Sequence, residues 1–581
     1  MTRLVHAVRE AASLDLAAAP ARVQLRLRLQ LVSQLAAAAA GRRSADGALA
    51  EALPFGAGDL GVSPGLGGRD LPSALRLATA LVGAAEQDDH LLFGPSGRAA
   101  VWTAWLAAAD AGLPAERALQ AQLAANELAG RLAAFALPAP HAGAGLDWVQ
   151  AAAAALAAGI LRGLGERPLA NAVALAIAGT PSCRWSHVRT GARLALAPAA
   201  AVRGLESVDL AAAGVGGPLD LLESDGDWLA DTVGARPLAG FLTGWGDAWM
   251  TDTLSIRATP AAPGVGAAIE ALQELLGELD AEGATLTADS ILRIDVDAPL
   301  PAALRELRVG SPANADEPLA PSVVPHGIAR ALPFVVLHGR LGPELMTLPA
   351  VATARTAAGD LGWRIHVRHD WGMTLDAWEV LRRTVKLDRM AGAAGVAGLV
   401  AAVQKHGPRQ ARDGVGASGP PGGGTGLNWT DLPLVLAARG EAVDSLLGLL
   451  EPSHAARKDP ASWLVKRLGR VAGRMGSLIA PPTASLEGVS LEGVAVPMPA
   501  RIRLLLHGGR VREAEVAGPR GSANRPTAEL VAVASQKYRA AMAPWGEPVG
   551  VLDHLLGPQA NDSLGVPPAP SPAELFALLV G

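Results

Sequence analysis

The feature that most constrains the fold is the regular spacing of Leu and Ala in the first 250 residues. Runs of roughly 12 to 20 residues carry them at helical intervals, and Gly and Pro separate the runs. No strand-like alternation interrupts this pattern. It predicts an all-helical domain over 1–250, which the C-terminal segment 540–581 is expected to complete. The clearest predicted helices are Ala74–Ala85, Ala100–Ala111, Pro114–Ala134, Trp148–Leu164 and Pro168–Ala178.

From about residue 251 the periodicity becomes that of strands. Polar and apolar residues alternate over Thr253–Thr259, Ser290–Val296 and Trp363–His369, and an amphipathic helix over 264–279 lies between the first two. Residues 500–516 predict a hairpin whose tight turn contains Gly508-Gly509. We therefore expect a smaller α+β domain made of 251–373 and 493–540.

A long segment, 374–492, interrupts the predicted small domain. It has helical patterning at both ends and contains the Gly/Pro-rich stretch GASGPPGGGTG, residues 416–426. No Lys follows these glycines in the P-loop pattern and no strand precedes them, which favours a flexible connector over a phosphate-binding loop. We interpret 374–492 as a helical insertion with a linker at 416–426. The predicted fold class is mainly α with an α+β part.

Composition excludes several classes of function. The net charge of −5 is spread along the chain and the aromatic residues are scattered, so the sequence predicts no nucleic-acid partner. The most apolar stretch, Trp148–Leu164, is interrupted by Gln150 and Arg162, which favours a buried helix over a membrane span. A single cysteine, Cys183, and an N-terminus without a signal-peptide core indicate a cytoplasmic protein.

The densest polar cluster of the helical region is EQDDHLLFGPSG, residues 86–97. Glu86, Asp88, Asp89 and His90 fall within five residues of one another, and a Gly-Pro-Ser-Gly turn follows. Carboxylates beside a histidine suit acid–base chemistry. The same residue types are also typical of a helix cap or a solvated turn. The residues alone leave both interpretations open.

Several motifs, taken in order, resemble the family of 2-methylcitrate dehydratases and cis-aconitate decarboxylases, the MmgE/PrpD family. The Asp88-Asp89 segment is similar to the family's Asp-Asp-Thr motif, which precedes His-Pro-Ser/Gly-Gly. The ordered set of motifs covers 1–373 and 496–541, whereas 374–492 departs from the family pattern. The other similar segments are 116–133, 161–179, 211–224, 257–271, 322–332 and 509–538.

The resemblance implies a large helical domain followed by an α+β domain, with the site in the cleft between them. It implies a lyase or isomerase that acts on a small polycarboxylate by proton abstraction next to a carboxylate, as a dehydratase or a decarboxylase. The family's chemistry uses no metal or organic cofactor, so none is expected here. A homodimer is implied as well, with a heterodimer formed with a related chain as the alternative.

Carried over residue by residue, the family's first site motif is partly kept. Glu86 places a carboxylate just before Asp88 and Asp89, which correspond to the Asp-Asp pair. His90 stands where the family has Thr and can act as acid, base or hydrogen-bond donor. The family's His before Pro-Ser-Gly is replaced by Gly94. A catalytic imidazole is therefore missing at that position.

The family's two lysines correspond to Arg193 and Arg257. Arginine holds a carboxylate well, but its pKa above about 12 makes it a poor proton shuttle. The histidine after the first lysine is Leu196 here, and the His or Cys after the second is Ala262. The substitutions keep anion binding and remove proton-transfer groups.

Three more places contribute candidate site residues. His141 lies near the family's loop histidine, and His326 or Pro325 occupies the position of the family's Tyr. A basic loop close to Arg193 is a candidate for binding substrate carboxylates, although such charges are equally typical of a solvated loop. Its members are Arg184, His187 and Arg189.

Two alternatives to a typical family enzyme stay open. One is an enzyme with an altered substrate whose acid and base are His90, His141 or His326. The other is a catalytically degenerate relative that still binds an anion or supports a partner subunit. The replacements at Gly94, Leu196 and Ala262 favour the degenerate relative.

Overall fold

The computed structural model describes most of the chain outside the predicted insertion. In this part the protein is mainly helical with a smaller α+β part, which confirms the predicted fold class. The linker 416–426 and most of 374–492 lie outside the described residues, as do His141, Arg184, His187 and Arg189. The described residues are 1–136, 146–180, 192–223, 228, 239–309, 321–359, 361–384, 485–546, 550–556 and 570–580, apart from Phe93, Ser96 and Thr285.

Helices dominate the described residues before 250, and all five of the clearest predicted helices are confirmed within a few residues at their ends. The prediction of an all-helical region missed three strands of two to four residues, because strands so short leave no alternation in the sequence. They are β1 (Ala57–Leu60), β2 (His90–Leu91) and β3 (Gly94–Pro95). The helices are α1 (Arg3–Ser13), α2 (Ala21–Gly41), α3 (Ala45–Glu51), α4 (Leu71–Ala85), α5 (Gly97–Asp110), α6 (Ala115–Phe135), α7 (Asp147–Leu161), α8 (Glu166–Ala178) and α9 (Arg193–Ala212).

Helix α4 leads into the polar cluster that begins at Glu86. Asp70 caps its N-terminus by accepting a hydrogen bond from Ser73 N at 2.8 Å, and proline lies in its first turn. Leu75 and Leu81 are buried on its core face. The helix ends where Glu86 adopts a left-handed backbone, with φ of 48°. This ending turns the chain out of the helical layer.

The second part begins after residue 250 and is built around a four-stranded sheet. Its elements are β4 (Leu254–Ser255), α10 (Val265–Ala281), β5 (Ile291–Ala298), α11 (Leu300–Val309), α12 (Ile328–His338), α13 (Leu348–Ala358), β6 (Ile365–His369), α14 (Trp371–Thr384), β7 (Ala500–Leu506) and β8 (Val511–Val516). Three helices follow: α15 (Thr527–Met542), α16 (Val551–Leu556) and α17 (Pro572–Val580).

The sheet has the order β6-β5-β7-β8. Strand β5 runs parallel to β6 and antiparallel to β7, and β7 and β8 form the predicted hairpin, whose turn glycines Gly508 and Gly509 both have positive φ. The strand predicted at 253–259 is only two residues long. The physical reason is that Ile256 N donates to Gly521 O, in a loop, instead of continuing a ladder.

Two separate apolar clusters hold these parts together. The larger contains the first helices together with residues from α15, α16 and α17. The smaller lies between the four-stranded sheet and α10, α12 and α13. Helix α15 packs against α2 in the larger cluster, although the sequence grouped it with the small domain. The reason is that its buried face, including Leu530 and Tyr538, points toward the helical layer.

A small sheet joins the two parts. Strand β2 pairs with β3 and also with β4, so that His90 lies opposite Pro95 on one side and Ser255 on the other. On the far side, Ala262 N donates to Pro325 O at 2.8 Å. These connections bring the polar cluster at 86–90 beside the segments 255–262 and 321–326.

Within the described ranges, no helix is long and apolar enough to cross a membrane. Over the same ranges, no three His, Cys, Asp or Glu side chains are grouped so that they could hold a metal ion.

Candidate functional site

Four of the predicted site residues meet where the two parts of the chain join. They are Glu86, at the end of α4, His90 on β2, Arg257 just after β4, and His326 at the end of the short 3-10 helix Pro321–His326. We call this group the junction site. Its members come from three segments far apart in the sequence, and only the fold brings them together.

The carboxylate of Glu86 is the centre of the junction site. Arg257 Nη1 donates to its Oε1 at 2.9 Å and also to the backbone oxygen of Glu86 at 3.2 Å. His326 Nε2 lies 3.4 Å from the other carboxylate oxygen, Oε2. His326 is only 5% exposed, so its ring is held in place by its surroundings. An arginine and a histidine therefore share one carboxylate.

The backbone of Glu86 is strained. Among the described residues, Glu86 and Leu92 are the non-glycine residues with positive φ, and they flank β2. A non-glycine residue in this region costs about 1–3 kcal/mol, and such strain concentrates at functional sites. The left-handed turn points the Glu86 side chain away from α4 and toward Arg257 and His326.

His90 supplies a neutral imidazole. Burial, and secondly the positive charge of Arg257, lowers the pKa of His90 to about 3. The ring is therefore uncharged near neutral pH, and it can donate or accept a hydrogen bond. Its Nδ1 atom and Arg257 Nε are both buried and have no hydrogen-bond partner within the described ranges. These two atoms are available to a bound molecule.

A small cavity lies against His90 and Arg257. Its volume is about 40 Å³, and its other walls come from 255–266 and 519–522, together with Glu270. A space of this size holds water, which needs about 10–15 Å³, but pockets for small ligands measure roughly 300–1,000 Å³. The cavity alone is therefore too small for a polycarboxylate.

The neighbouring carboxylate Asp89 faces the helical core instead. It is fully buried and accepts hydrogen bonds from Ser33 Oγ at 2.6 Å and from Gln34 Nε2 at 2.9 Å. Lys537 Nζ lies 3.9 Å from Asp89 and donates to Ser33 Oγ and to Gln87 O, at 2.7 Å each. We call Ser33, Gln34, Asp89 and Lys537 the core clamp.

Burial shifts the two charged groups of the core clamp toward their neutral forms. It raises the pKa of Asp89 to about 6, although Lys537 and the hydrogen bonds from Ser33 and Gln34 oppose the rise. Burial likewise lowers the pKa of Lys537 to about 8, against the attraction of Asp89. The pair is charged at neutral pH, and it fixes the backbone next to Glu86 through Gln87 O.

Asp88 belongs to the start of α5. Its Oδ1 accepts hydrogen bonds from Arg98 N at 3.1 Å and Gln34 Nε2 at 2.9 Å, and its Oδ2 lies 3.3 Å from Arg98 Nε. It therefore satisfies a backbone donor in the first turn of the helix. The catalytic roles expected for Asp88 and Asp89 stay predictions, and both carboxylates have structural partners.

At Gly94 and Ala262, two positions where the similar family has a catalytic side chain, neighbouring residues pack closely. A Cβ atom at Gly94 would lie 2.6 Å from Ala133 Cβ on α6, so a larger side chain does not fit without movement. Ala262 is buried, with its N–H bonded to Pro325 O. Arg193 begins α9, and its side chain lies outside the described part, as do His141 and the basic loop.

Two buried groups at the site escaped sequence reasoning. Lys537 entered the sequence analysis only within the similar segment 509–538, without a buried role, and Glu306 is a carboxylate in an amphipathic helix. Glu306 accepts hydrogen bonds from Ile328 N at 2.6 Å and Ala329 N at 3.2 Å, and so holds the turn that follows His326. The one available signal was in α2, where Ser33 and Gln34 interrupt an apolar run, a pattern that indicates buried polar contacts.

No family model matches the chain, and no curated protein sequence matches it. The resemblance to the 2-methylcitrate dehydratase family therefore depends on the quoted motifs.

Proposed function

We propose that this protein is a lyase or isomerase that removes a proton next to a carboxylate of a small polycarboxylate, with the junction site as its centre. The observation that carries the proposal is the carboxylate of Glu86, shared by Arg257 at 2.9 Å and His326 at 3.4 Å. A carboxylate that orients an imidazole, beside a cation that can bind an anion, is the equipment that proton abstraction from an acid needs.

In this proposal each residue of the junction site has one role. Arg257 Nε binds a carboxylate of the substrate, and the neutral imidazole of His90 donates a hydrogen bond to the same group. His326, oriented by Glu86, accepts the proton from the adjacent carbon. The electron pair of the broken C–H bond stays on that carbon, delocalised into the carboxylate. The family resemblance implies no cofactor for this chemistry.

The fate of that electron pair defines the reaction. In a dehydration it forms the new double bond while hydroxide leaves and takes the proton back from His326 as water. In an isomerisation the proton returns at another carbon. In a decarboxylation no C–H bond breaks: the C–C bond to the leaving carboxylate breaks, carbon dioxide departs, and the electron pair left on carbon takes a proton from His326, which has first been protonated by solvent. A cytoplasmic, dimeric enzyme is part of the proposal, supported by the single cysteine and by the resemblance.

Hydrogen exchange in heavy water tests the proposal. The protein is incubated with citrate, 2-methylcitrate, aconitate or aspartate, and deuterium at carbon is measured by mass spectrometry. We expect exchange with at least one acid, and a loss of about 100-fold or more in His326→Gln, because a positioned base contributes about 10²–10⁴-fold. His507→Gln, in the exposed hairpin turn, is the matched control. No exchange with any of these acids would count against the lyase.

One observation favours the second candidate, a noncatalytic binding or partner subunit. Glu86 already neutralises Arg257, and the adjacent cavity measures only about 40 Å³. Calorimetry with the same acids distinguishes the two: binding that depends on Arg257 but gives no exchange supports the binding subunit. Exchange that Arg257→Gln weakens supports the enzyme.

A further inference from the structure

A surface groove lies next to the small cavity of the junction site. Its volume is about 410 Å³, and α10, the end of β8 and the loop after it form its walls. Carboxylates and guanidinium groups line it together: Glu270, Glu274, Glu515, Arg520 and Arg525. Unlike the cavity, this groove falls within the size range of small-molecule sites.

The groove and the cavity share two wall residues, Glu270 and Arg520. The carboxylate of Glu270 accepts a hydrogen bond from the backbone N–H of Arg520, with Oε1 at 3.0 Å and Oε2 at 2.9 Å. The side chain of Glu270 and the backbone at Arg520 therefore form the partition between the open groove and the space that His90 and Arg257 line.

The loop side of this partition is firmly held. Gly521 O accepts a hydrogen bond from Ile256 N at 2.8 Å, and Ala523 N donates to Ser255 Oγ at 3.0 Å. Gly521 also has a φ of 81°, and a Cβ atom there would collide with the oxygen of Ile256, so this backbone has little room to shift. The rotatable part of the partition is the side chain of Glu270.

The side chain of Glu270 is half-buried where its carboxylate meets Arg520 N. Burial raises its pKa to about 7, against the hydrogen bond from Arg520 N and the charges of Arg520 and Arg525, whereas Glu274 adds to the rise. Ionised Glu270 thus loses solvation in the closed position. Rotation of this side chain into the groove increases the contact of its carboxylate with water.

We propose that the groove is the entrance through which a small acid reaches the junction site, and that Glu270 is its gate. Rotation of Glu270 away from Arg520 N joins the cavity to the groove, and the joined space accommodates a ligand that the cavity alone excludes. The identity of the entering molecule rests on the proposed function. The gate itself rests on the shared walls and the hydrogen bond between them.

The accessibility of His90 to diethyl pyrocarbonate tests the gate without any turnover. This reagent acylates neutral imidazoles, and modification of the His90 peptide is followed by mass spectrometry with exposed His507 as the internal standard. We expect Glu270→Ala to accelerate modification of His90 several-fold. Glu274→Ala removes a carboxylate from the same groove that does not border the cavity, and should leave the rate unchanged.

A second variant tests whether faster modification in Glu270→Ala comes from a destabilised fold. Ala517→Trp fills the groove from an exposed position, and should slow modification of His90 while the thermal midpoint stays the same. Equal His90 rates in Glu270→Ala, Ala517→Trp and the unmodified protein overturn the gate. The modification rate measures access to His90 and does not depend on the proposed reaction. If these variants change the rate as expected but no acid exchanges deuterium, the proposed reaction is overturned and the gate is not.

Discussion

Two faces of one short segment, residues 86–90, behave differently. Glu86 and His90 face the junction of the two parts of the chain, where Arg257 and His326 contact the carboxylate of Glu86 and a cavity adjoins His90. Asp89 faces the helical core, where Ser33, Gln34 and Lys537 hold it in place. Adjacent residues thus differ in what surrounds them: the junction face borders a cavity, and the core face uses its polar side chains to hold the fold.

The comparison predicts that the core clamp matters most for stability. Lys537→Met leaves the buried carboxylate of Asp89 without its cation, and breaking a buried pair in this way costs about 3–5 kcal/mol. We expect that loss of unfolding free energy in urea at pH 7.5. The loss should shrink at pH 5, because Asp89, with a pKa already raised to about 6, then takes up a proton.

Arg539→Met, at an exposed position on the same helix, is the control for this variant. It should change the unfolding free energy by less than about 0.5 kcal/mol. If the Lys537→Met protein is as stable as this control, the core clamp does not stabilise the fold and the prediction is wrong.

The second prediction concerns Glu306, which holds the turn after His326. Burial raises the pKa of Glu306 to about 7 from 4.5, so the folded protein binds more protons than the unfolded chain between these values. Its contribution to stability is therefore full below pH 4.5 and is lost as pH rises through 7. Glu306→Gln should flatten the fall in unfolding free energy across this window by up to about 3 kcal/mol.

Glu282→Gln, at an exposed ion pair with Arg512, is the matched control for the pH series. His90 and His369, whose pKa values are lowered by burial, add the opposite slope, but equally in all three proteins. Parallel pH curves for Glu306→Gln and the unmodified protein would contradict a buried carboxylate at this turn.

The third prediction concerns the packing around Gly94. Gly94→Ala places a methyl group 2.6 Å from Ala133 Cβ, and overpacking of this kind costs about 1–3 kcal/mol. Gly277→Ala on α10 meets nothing within 4 Å, and should stabilise by about 0.4–1 kcal/mol. The difference between the thermal midpoints of the two variants measures this effect. Equal midpoints would show that the surroundings of Gly94 are loosely packed.

The smallest expected effect is at an exposed ion pair far from both faces. Glu282→Ala removes the partner of Arg512, whose Nη2 lies 2.8 Å from the carboxylate. Solvent screening limits such pairs to about 0–1 kcal/mol. A loss in urea unfolding as large as that of Lys537→Met would break the distinction between buried and exposed charges on which the comparison depends.

Much of the fold was predictable because its signals are local. The spacing of apolar residues identified helices such as α4 and α6 and the hairpin of β7 and β8, since periodicity reports which face of an element is buried. The short strand β2 was not predictable. Its two residues carry no period, and its partners at Ser255 and Leu254 are distant in the sequence.

The candidate site was predictable only as a set of residue types. The sequence by itself determined that Glu86, Asp88, Asp89 and His90 stand close together, and that arginine replaces lysine at 257. Tertiary structure decided which of them share a space. The left-handed backbone of Glu86 directs its carboxylate to Arg257, 171 residues away, whereas Lys537, 450 residues from Gln87, fixes the other face. Burial and charge pairing depend on such distant contacts, and no local pattern encodes them.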